Sequence, residues 1–247
     1  MVNLYKPKFT YIIPFRYKND RIIPLRRVIE WLSGFQAIEI IVVEQDNHSK
    51  ISNLNLKAVH IFTESEAPFN KSWAYNVGLK VASSNIIVFG DADFIMNPND
   101  LIESLKTLEH HDCVLPTSKV IKLDPQQSSM DFGNIFQISN SQTKMSMTDG
   151  ISLYKKECIL KIGGWNEDFL GLGFSNKFQD LKIKRMVNYK QMDFLGYHMY
   201  HNSEKMDFSL FQRNQQIIDH YTKPESDLFG HVNVTIPKIG YKNKFQF

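Results

Sequence analysis

Short apolar runs and helical apolar periods alternate along this chain. Tyr11–Pro14, Ile38–Val43 and Val59–Phe62 read as strands, the first ended by a proline that cannot donate to a ladder. Ile22, Ile23, Leu25, Val28, Ile29 and Leu32 recur at helical spacing, which predicts a helix through Ser33 capped by Asp20. Trp73, Val77 and Val81 predict a second helix, with Asn70 as its cap and Trp73 in the core. Ile86–Phe89 is continuously apolar, as in a strand covered on both faces. Asn99–Leu108 predicts a third helix with Leu101, Ile102, Leu105 and Leu108 on one face, and Asp112–Pro116 a further strand. Residues 122–147 are polar, without a sustained period, and read as a mobile loop. Strands and helices that alternate over short connections predict an α/β fold, a mostly parallel central sheet covered by helices.

The polar residues gather where such a sheet binds ligands, at the carboxyl ends of the strands. Pro14-Phe15-Arg16 follows the first strand, Glu44-Gln45-Asp46 the second, and Asp91-Ala92-Asp93 the strand at Ile86. Any one of these alone reads as an ordinary polar loop. Three on one edge favour a ligand site. The paired aspartates offer hard oxygen ligands to a divalent cation, which could clamp a diphosphate. Arg16 and Lys71 add cationic contacts, Arg16 in a fork suited to phosphate. Phe15 and Phe69 suit either a base and ribose or the core.

Composition narrows the class without choosing the chemistry. The 247 residues are long enough for a full core, as one large domain or two small ones. A net charge of +3 is too weak to argue for nucleic acid, although it permits loose association with an anionic membrane. Cys113 and Cys158 are the only cysteines, which excludes a disulfide framework and a thiolate zinc cluster. The first ten residues lack a signal-peptide core and no apolar run reaches spanning length, so the expectation is a cytoplasmic protein, peripheral to a membrane at most.

The stretches IIPFR, FNKSWAYNVGL, FGDADFIMNPND and DGISLYKKECILKIGGWNEDFLGLG, in that order and at compatible spacing, resemble the β-1,4-galactosyltransferases and their chondroitin-polymerase-like relatives. The resemblance runs from Tyr11 to about Arg213. It implies a single GT-A domain over 1–220, with a nucleotide part over about 9–100, an acceptor and metal part over about 145–220, and a tail at 221–247 packed on it. It further implies an inverting transferase that takes a hexose or N-acetylhexosamine from a UDP-sugar to a glycan or glycolipid acceptor, with manganese or another divalent cation. Pro14, Phe15, Arg16, Glu44, Asp46, Phe69, Asn70, Lys71, Asp91, Ala92 and Asp93 then stand at the nucleotide sugar. Gly164, Trp165, Leu172 and Arg213 stand at the acceptor, and Gly150 gives the sugar room. His201 falls at the family's ligand histidine and His198 at its ligand methionine, so the metal set is Asp93, His198 and His201. Asp180 matches the aspartate of the family's glutamate-aspartate pair, its base, ahead of Asp168 in the preceding turn.

The chain also departs from that pattern. Leu170 and Leu172 replace the two tryptophans of the glycine-rich turn, and Gln179 replaces the glutamate beside Asp180. These losses leave a non-catalytic sugar-nucleotide or glycan-binding module as the alternative. A nucleotidyltransferase ranks below both, since no glycine-rich phosphate loop stands near the N-terminus.

Overall fold

The structure, a computed structural model, describes residues 8–139, 142–203, 205–222 and 245–246. Four parallel strands build its first half: β1 (Phe9–Phe15), β2 (Ile38–Asp46), β3 (Val59–Glu64) and β4 (Ile86–Gly90), in the order β3-β2-β1-β4. Parallel neighbours need crossovers, which helices α1 (Ile22–Leu32) and α2 (Lys71–Val81) supply. The two-residue period of β1 divides the core between them. Tyr11 and Ile13 pack with Leu25, Val28 and Trp31 of α1, whereas Ile12 packs with Trp73 and Val77 of α2.

The second half continues the same sheet. In chain order it comprises β5 (Phe94–Met96), α3 (Pro98–Thr107), β6 (Cys113–Lys122), α4 (Pro125–Ser128), α5 (Phe132–Ile135), β7 (Thr143–Lys144), β8 (Ile151–Lys155) and α6 (Lys156–Lys161). There follow α7 (Ser175–Met186), β9 (Tyr189–His198), α8 (Phe208–Thr222) and β10 (Phe245–Gln246). Strand β8 lies antiparallel between β4 and β6. Strand β9 runs parallel to β6 and antiparallel to β5, which closes the far edge. One sheet therefore joins the parallel half to the mixed half. No helix among the described residues is long and apolar enough to cross a membrane.

Several local expectations give way to longer-range contacts. Asp20 caps no helix: a 3-10 turn occupies Asn19–Arg21, and the Asp20 carboxylate accepts the Asn202 N–H at 2.8 Å instead. Asn70 does cap α2, accepting the Trp73 N–H at 2.9 Å. Ile102 faces solvent at 42% exposure while Leu101 and Leu108 are buried. The stretch read as a loop holds the end of β6, α4, α5 and β7; Asp124 and Asp131 cap the two short helices, whose size hides any period. The HVNVTIPKIGY segment, expected as an edge strand, lies outside the described residues; β10 adds an antiparallel edge to β3.

Candidate active site

A cleft of about 550 Å³ opens over the carboxyl ends of β1 and β4. Its floor holds Pro14, Phe15 and Arg16 from β1 and the loop after it, Phe69 and Lys71 from the start of α2, and Asp91, Ala92 and Asp93 from the turn after β4. His198, at the end of β9, and His201 close one side. The sheet itself brings them there. Phe94 of β5 pairs with His198 of β9, and the Met199 N–H donates to the Asp93 carbonyl at 2.7 Å.

Asp93 is the electrostatic centre. It is only 6% exposed. Arg21 Nη1 stands at 3.3 Å, His201 Nε2 at 3.1 Å and His198 Nε2 at 3.7 Å from its carboxylate. Burial would raise its pKa, but the His201 hydrogen bond and the charges of His198 and Arg21 prevail and hold it at about 2. The ligand atoms of Asp93, His198 and His201 lie within 4.8 Å of one another. One carboxylate and two imidazoles make a donor set that suits a divalent first-row cation. His201 Nδ1 lies 2.9 Å from the Asn202 carbonyl, and a proton shared there leaves Nε2 as the ligating nitrogen. The three residues fit a metal.

Asp91 stands differently. Lys71 Nζ lies 2.6 Å from its carboxylate, the Tyr75 hydroxyl donates to it at 3.0 Å, and its N–H donates to the Gly150 carbonyl at 2.9 Å. It therefore holds Lys71 against the cleft floor. Gly150, at φ 76°, lies where an added Cβ would come 2.5 Å from the Phe94 ring, so its missing side chain makes room for Phe94.

The other expected residues separate into two groups. Glu44 is fully buried and binds the loop after β2, accepting the Ser49 hydroxyl at 2.8 Å and the Lys50 N–H at 2.9 Å, with His60 Nε2 at 3.0 Å. Asp46 accepts the Asn47 N–H at 2.9 Å and pairs with Lys50 at 3.3 Å. Neither lines the cleft, nor does Asn70, which is occupied as a cap. Arg16 does line it, yet donates to the Gln45 and Ala67 carbonyls, each at 2.8 Å. On the acceptor side only Leu172 reaches the cleft. The Gly164 carbonyl accepts from Lys182 at 2.6 Å, and Trp165 is buried against Tyr75 and Phe89. Arg213 donates to the Asp168 carbonyl at 2.6 Å and lines a separate cavity of about 370 Å³ with Asp168, His220 and Tyr221.

Asp180, expected as the base, is bound elsewhere. It is 8% exposed and does not line the cleft. Its carboxylate accepts the Met147 and Thr148 N–H groups, each at 3.0 Å, and the Thr148 hydroxyl at 2.7 Å. Burial pushes its pKa up further than those bonds lower it. In this geometry Asp180 fixes the backbone before β8. On the same side Asn176 donates its side-chain amide to Asp149.

Sequence reasoning missed Lys18, Arg21, Lys205 and Asp207, which also line the cleft. A signal for the first two was present: Arg16, Lys18 and Arg21 crowd one loop after a strand's carboxyl end. Lys205 and Asp207 carry no such mark.

The family model described as Glycosyl transferase family 2 matches residues 12–159. No curated protein matches this chain significantly. Among solved structures, the chain is similar to a Drosophila β-1,4-galactosyltransferase 7 mutant in complex with manganese, UDP-Gal and xylobiose. That likeness has 18% identity, 85% of this chain and 79% of that one covered, and a TM-score of 0.51. The catalytic domain of the same Drosophila enzyme with xylobiose is similar at 16% identity, 84% and 79% coverage, and a TM-score of 0.47.

Proposed function

Because the chain belongs to glycosyl transferase family 2, we propose that it is a metal-dependent inverting glycosyltransferase that moves a hexose or N-acetylhexosamine from a UDP-sugar to a glycan acceptor. The observation that carries the proposal is the convergence of Asp93, His198 and His201 at one side of a cleft lined by Lys18, Arg21, Lys71 and Lys205. Breaking a sugar–diphosphate bond builds negative charge on the leaving oxygens, so the site must present fixed positive charge there. A manganese or similar cation held by the three ligands would supply part of that charge as a Lewis acid. The chain's own cations supply the rest. Lys71 is held in place by Asp91, and Arg21 by Asp93, so both are oriented before a diphosphate arrives. Phe69 offers apolar surface at the floor to the base or ribose, whereas Phe15, 1% exposed, is taken up by the core.

Asp180 keeps a place in this proposal as a positioning group. Its carboxylate holds Met147 and Thr148, next to Asp149 and Gly150, whose carbonyl in turn anchors Asp91. The acceptor side is proposed at Leu172, and the compartment is proposed to be the cytoplasm.

The test is binding followed by turnover. UDP affinity should rise sharply with manganese, and a panel of UDP-hexoses and UDP-N-acetylhexosamines should show transfer from at least one. UDP affinity indifferent to metal would overturn the metal-dependent reading. Tight metal-dependent UDP binding with no transfer across donors and acceptors would leave a binding module.

A further inference from the structure

An imidazole and a guanidinium meet on a single oxygen at the side of the cleft. Asp93 Oδ2 lies 3.1 Å from His201 Nε2 and 3.3 Å from Arg21 Nη1, whereas Oδ1 faces His198 Nε2 at 3.7 Å. Asp93 is buried, so water screens these charges poorly. An imidazole nitrogen passes readily from hydrogen bonding to metal ligation. A guanidinium does not: it keeps its charge and offers donors only. Arg21 therefore stands as a rival on an oxygen that a cation would take. The fold fixes it there. The 3-10 turn Asn19–Arg21 is anchored by Asp20, whose carboxylate accepts the Asn202 N–H at 2.8 Å, one residue past His201. Asp20 thus holds the segment after β9, and its neighbour Arg21 holds the Asp93 carboxylate. Arg21 also lines the cleft, together with Lys18 and Lys71.

We infer that Arg21 couples the metal to the nucleotide: it opposes a cation at Asp93 while no diphosphate is bound, and gives its fork to the diphosphate when one arrives. The inference rests on the transferase reading above. Without a diphosphate, a divalent cation on Asp93 Oδ2 gains a carboxylate and imidazoles but meets the positive guanidinium at close range. A diphosphate changes both sides of that balance. Its oxygens accept from the guanidinium fork, and their negative charge offsets that of the metal. Whatever factor UDP adds to metal affinity, the metal adds to UDP affinity. Lys71 is not placed for this part, because it pairs at 2.6 Å with Asp91, which stands outside the Asp93, His198 and His201 cluster.

The test titrates manganese into the wild type, Arg21→Gln and Arg21→Lys, each with and without UDP, and reads free manganese by its electron paramagnetic resonance signal. Without UDP, Arg21→Gln should bind manganese at least about ten-fold more tightly than the wild type, because a like charge near a poorly screened site has been removed. Arg21→Lys keeps the charge and should stay closer to the wild type. UDP should raise the wild type's manganese affinity by a factor within the roughly 5–150-fold range of coupled sites, and Arg21→Gln should lose most of that factor. The turn that carries Arg21 buries no residue, so the variants retain the core. Arg21→Met, which keeps the apolar stem, is a second neutral variant in which the same signs are expected. Equal or weaker manganese binding without UDP in both neutral variants, with their circular dichroism spectra preserved, would overturn the inference. A residue that merely supports Asp93 loosens the site when it is removed, so the sign of the change separates support from rivalry. Manganese that binds neither the wild type nor any variant, with UDP or without, would defeat the metal-dependent reading itself. Manganese that binds the wild type and both neutral variants equally would defeat the coupling alone.

Discussion

His201 Nε2 lies 3.1 Å from Asp93 Oδ2, and the two side chains face each other across the pairing of β5 with β9. Asp93 follows β4, the last strand of the parallel half of the sheet, and His201 follows β9 of the mixed half. Asp93, His198 and His201 therefore converge only when both halves of the sheet have formed.

Metal removal tests that junction directly. Chelation should sharply lower UDP affinity, and Asp93→Ala should abolish transfer with the circular dichroism spectrum preserved. His201→Ala should weaken manganese-dependent UDP binding by more than the roughly 10–100-fold that loss of an outer-shell partner costs. His198→Ala should be milder, since its ring stands further off at 3.7 Å and is more exposed. Titration calorimetry reads UDP affinity in chelator and in the three variants, and a transfer assay reads Asp93→Ala; unchanged UDP affinity in chelator and in both Asp93→Ala and His201→Ala would eliminate the site.

Asp180→Asn separates a positioning role from a proton-accepting one. An asparagine keeps one acceptor oxygen and turns an amide toward backbone donors, so a loss of about 1–3 kcal/mol of stability is expected. Transfer should fall by no more than about ten-fold, since a general base contributes roughly 10²–10⁴-fold and this carboxylate is committed to Met147 and Thr148. Loss by several orders of magnitude, with stability and UDP binding intact, would make Asp180 the base after all.

Lys182 sets a pH dependence of stability. It is fully buried on α7, and burial alone drags its ammonium from 10.5 to about 7. Between those values the unfolded chain binds the proton and the folded chain does not, so stability rises with pH through that window. Relative to Lys182→Met, the wild type should gain up to about 1.4 kcal/mol per pH unit from pH 7 upward. Urea unfolding at pH 6, 7, 8 and 9 measures it, and a pH-independent difference would show that the lysine keeps its proton.

Gly78→Ala probes the seam between β1 and α2. A Cβ there would come 2.3 Å from Ile12 Cγ2, a β-branched side chain with no exposed surface in which to relax. The expected cost is about 1–3 kcal/mol, read as a lower urea midpoint with an unchanged slope. Because α2 carries Lys71 at its first turn, UDP affinity should fall as well. A midpoint equal to that of the wild type would mean that the helix shifts freely.

The sequence by itself determined the elements of the parallel half and the edge on which the cleft lies. Strand and helix periods are properties of neighbouring residues, so the strands of the parallel half, α2 with its Asn70 cap, and the aspartates after β4 were legible locally. The three residues that converge at one side of the cleft were marked separately through resemblance, at Asp93, His198 and His201. Tertiary structure alone decided what each carboxylate does, because that depends on donors distant in sequence. Asp93 meets Arg21 and two histidines, whereas Asp180 meets the backbone of Met147 and Thr148. Glu44 turns inward because Ser49, Lys50 and His60 surround it with donors. The short caps at Asp124 and Asp131 and the exposed side chains of Met206 and Phe208 likewise have no period to announce them. An aspartate's type states only that it will accept hydrogen bonds or charge; packing selects the partner, and the partner sets its role.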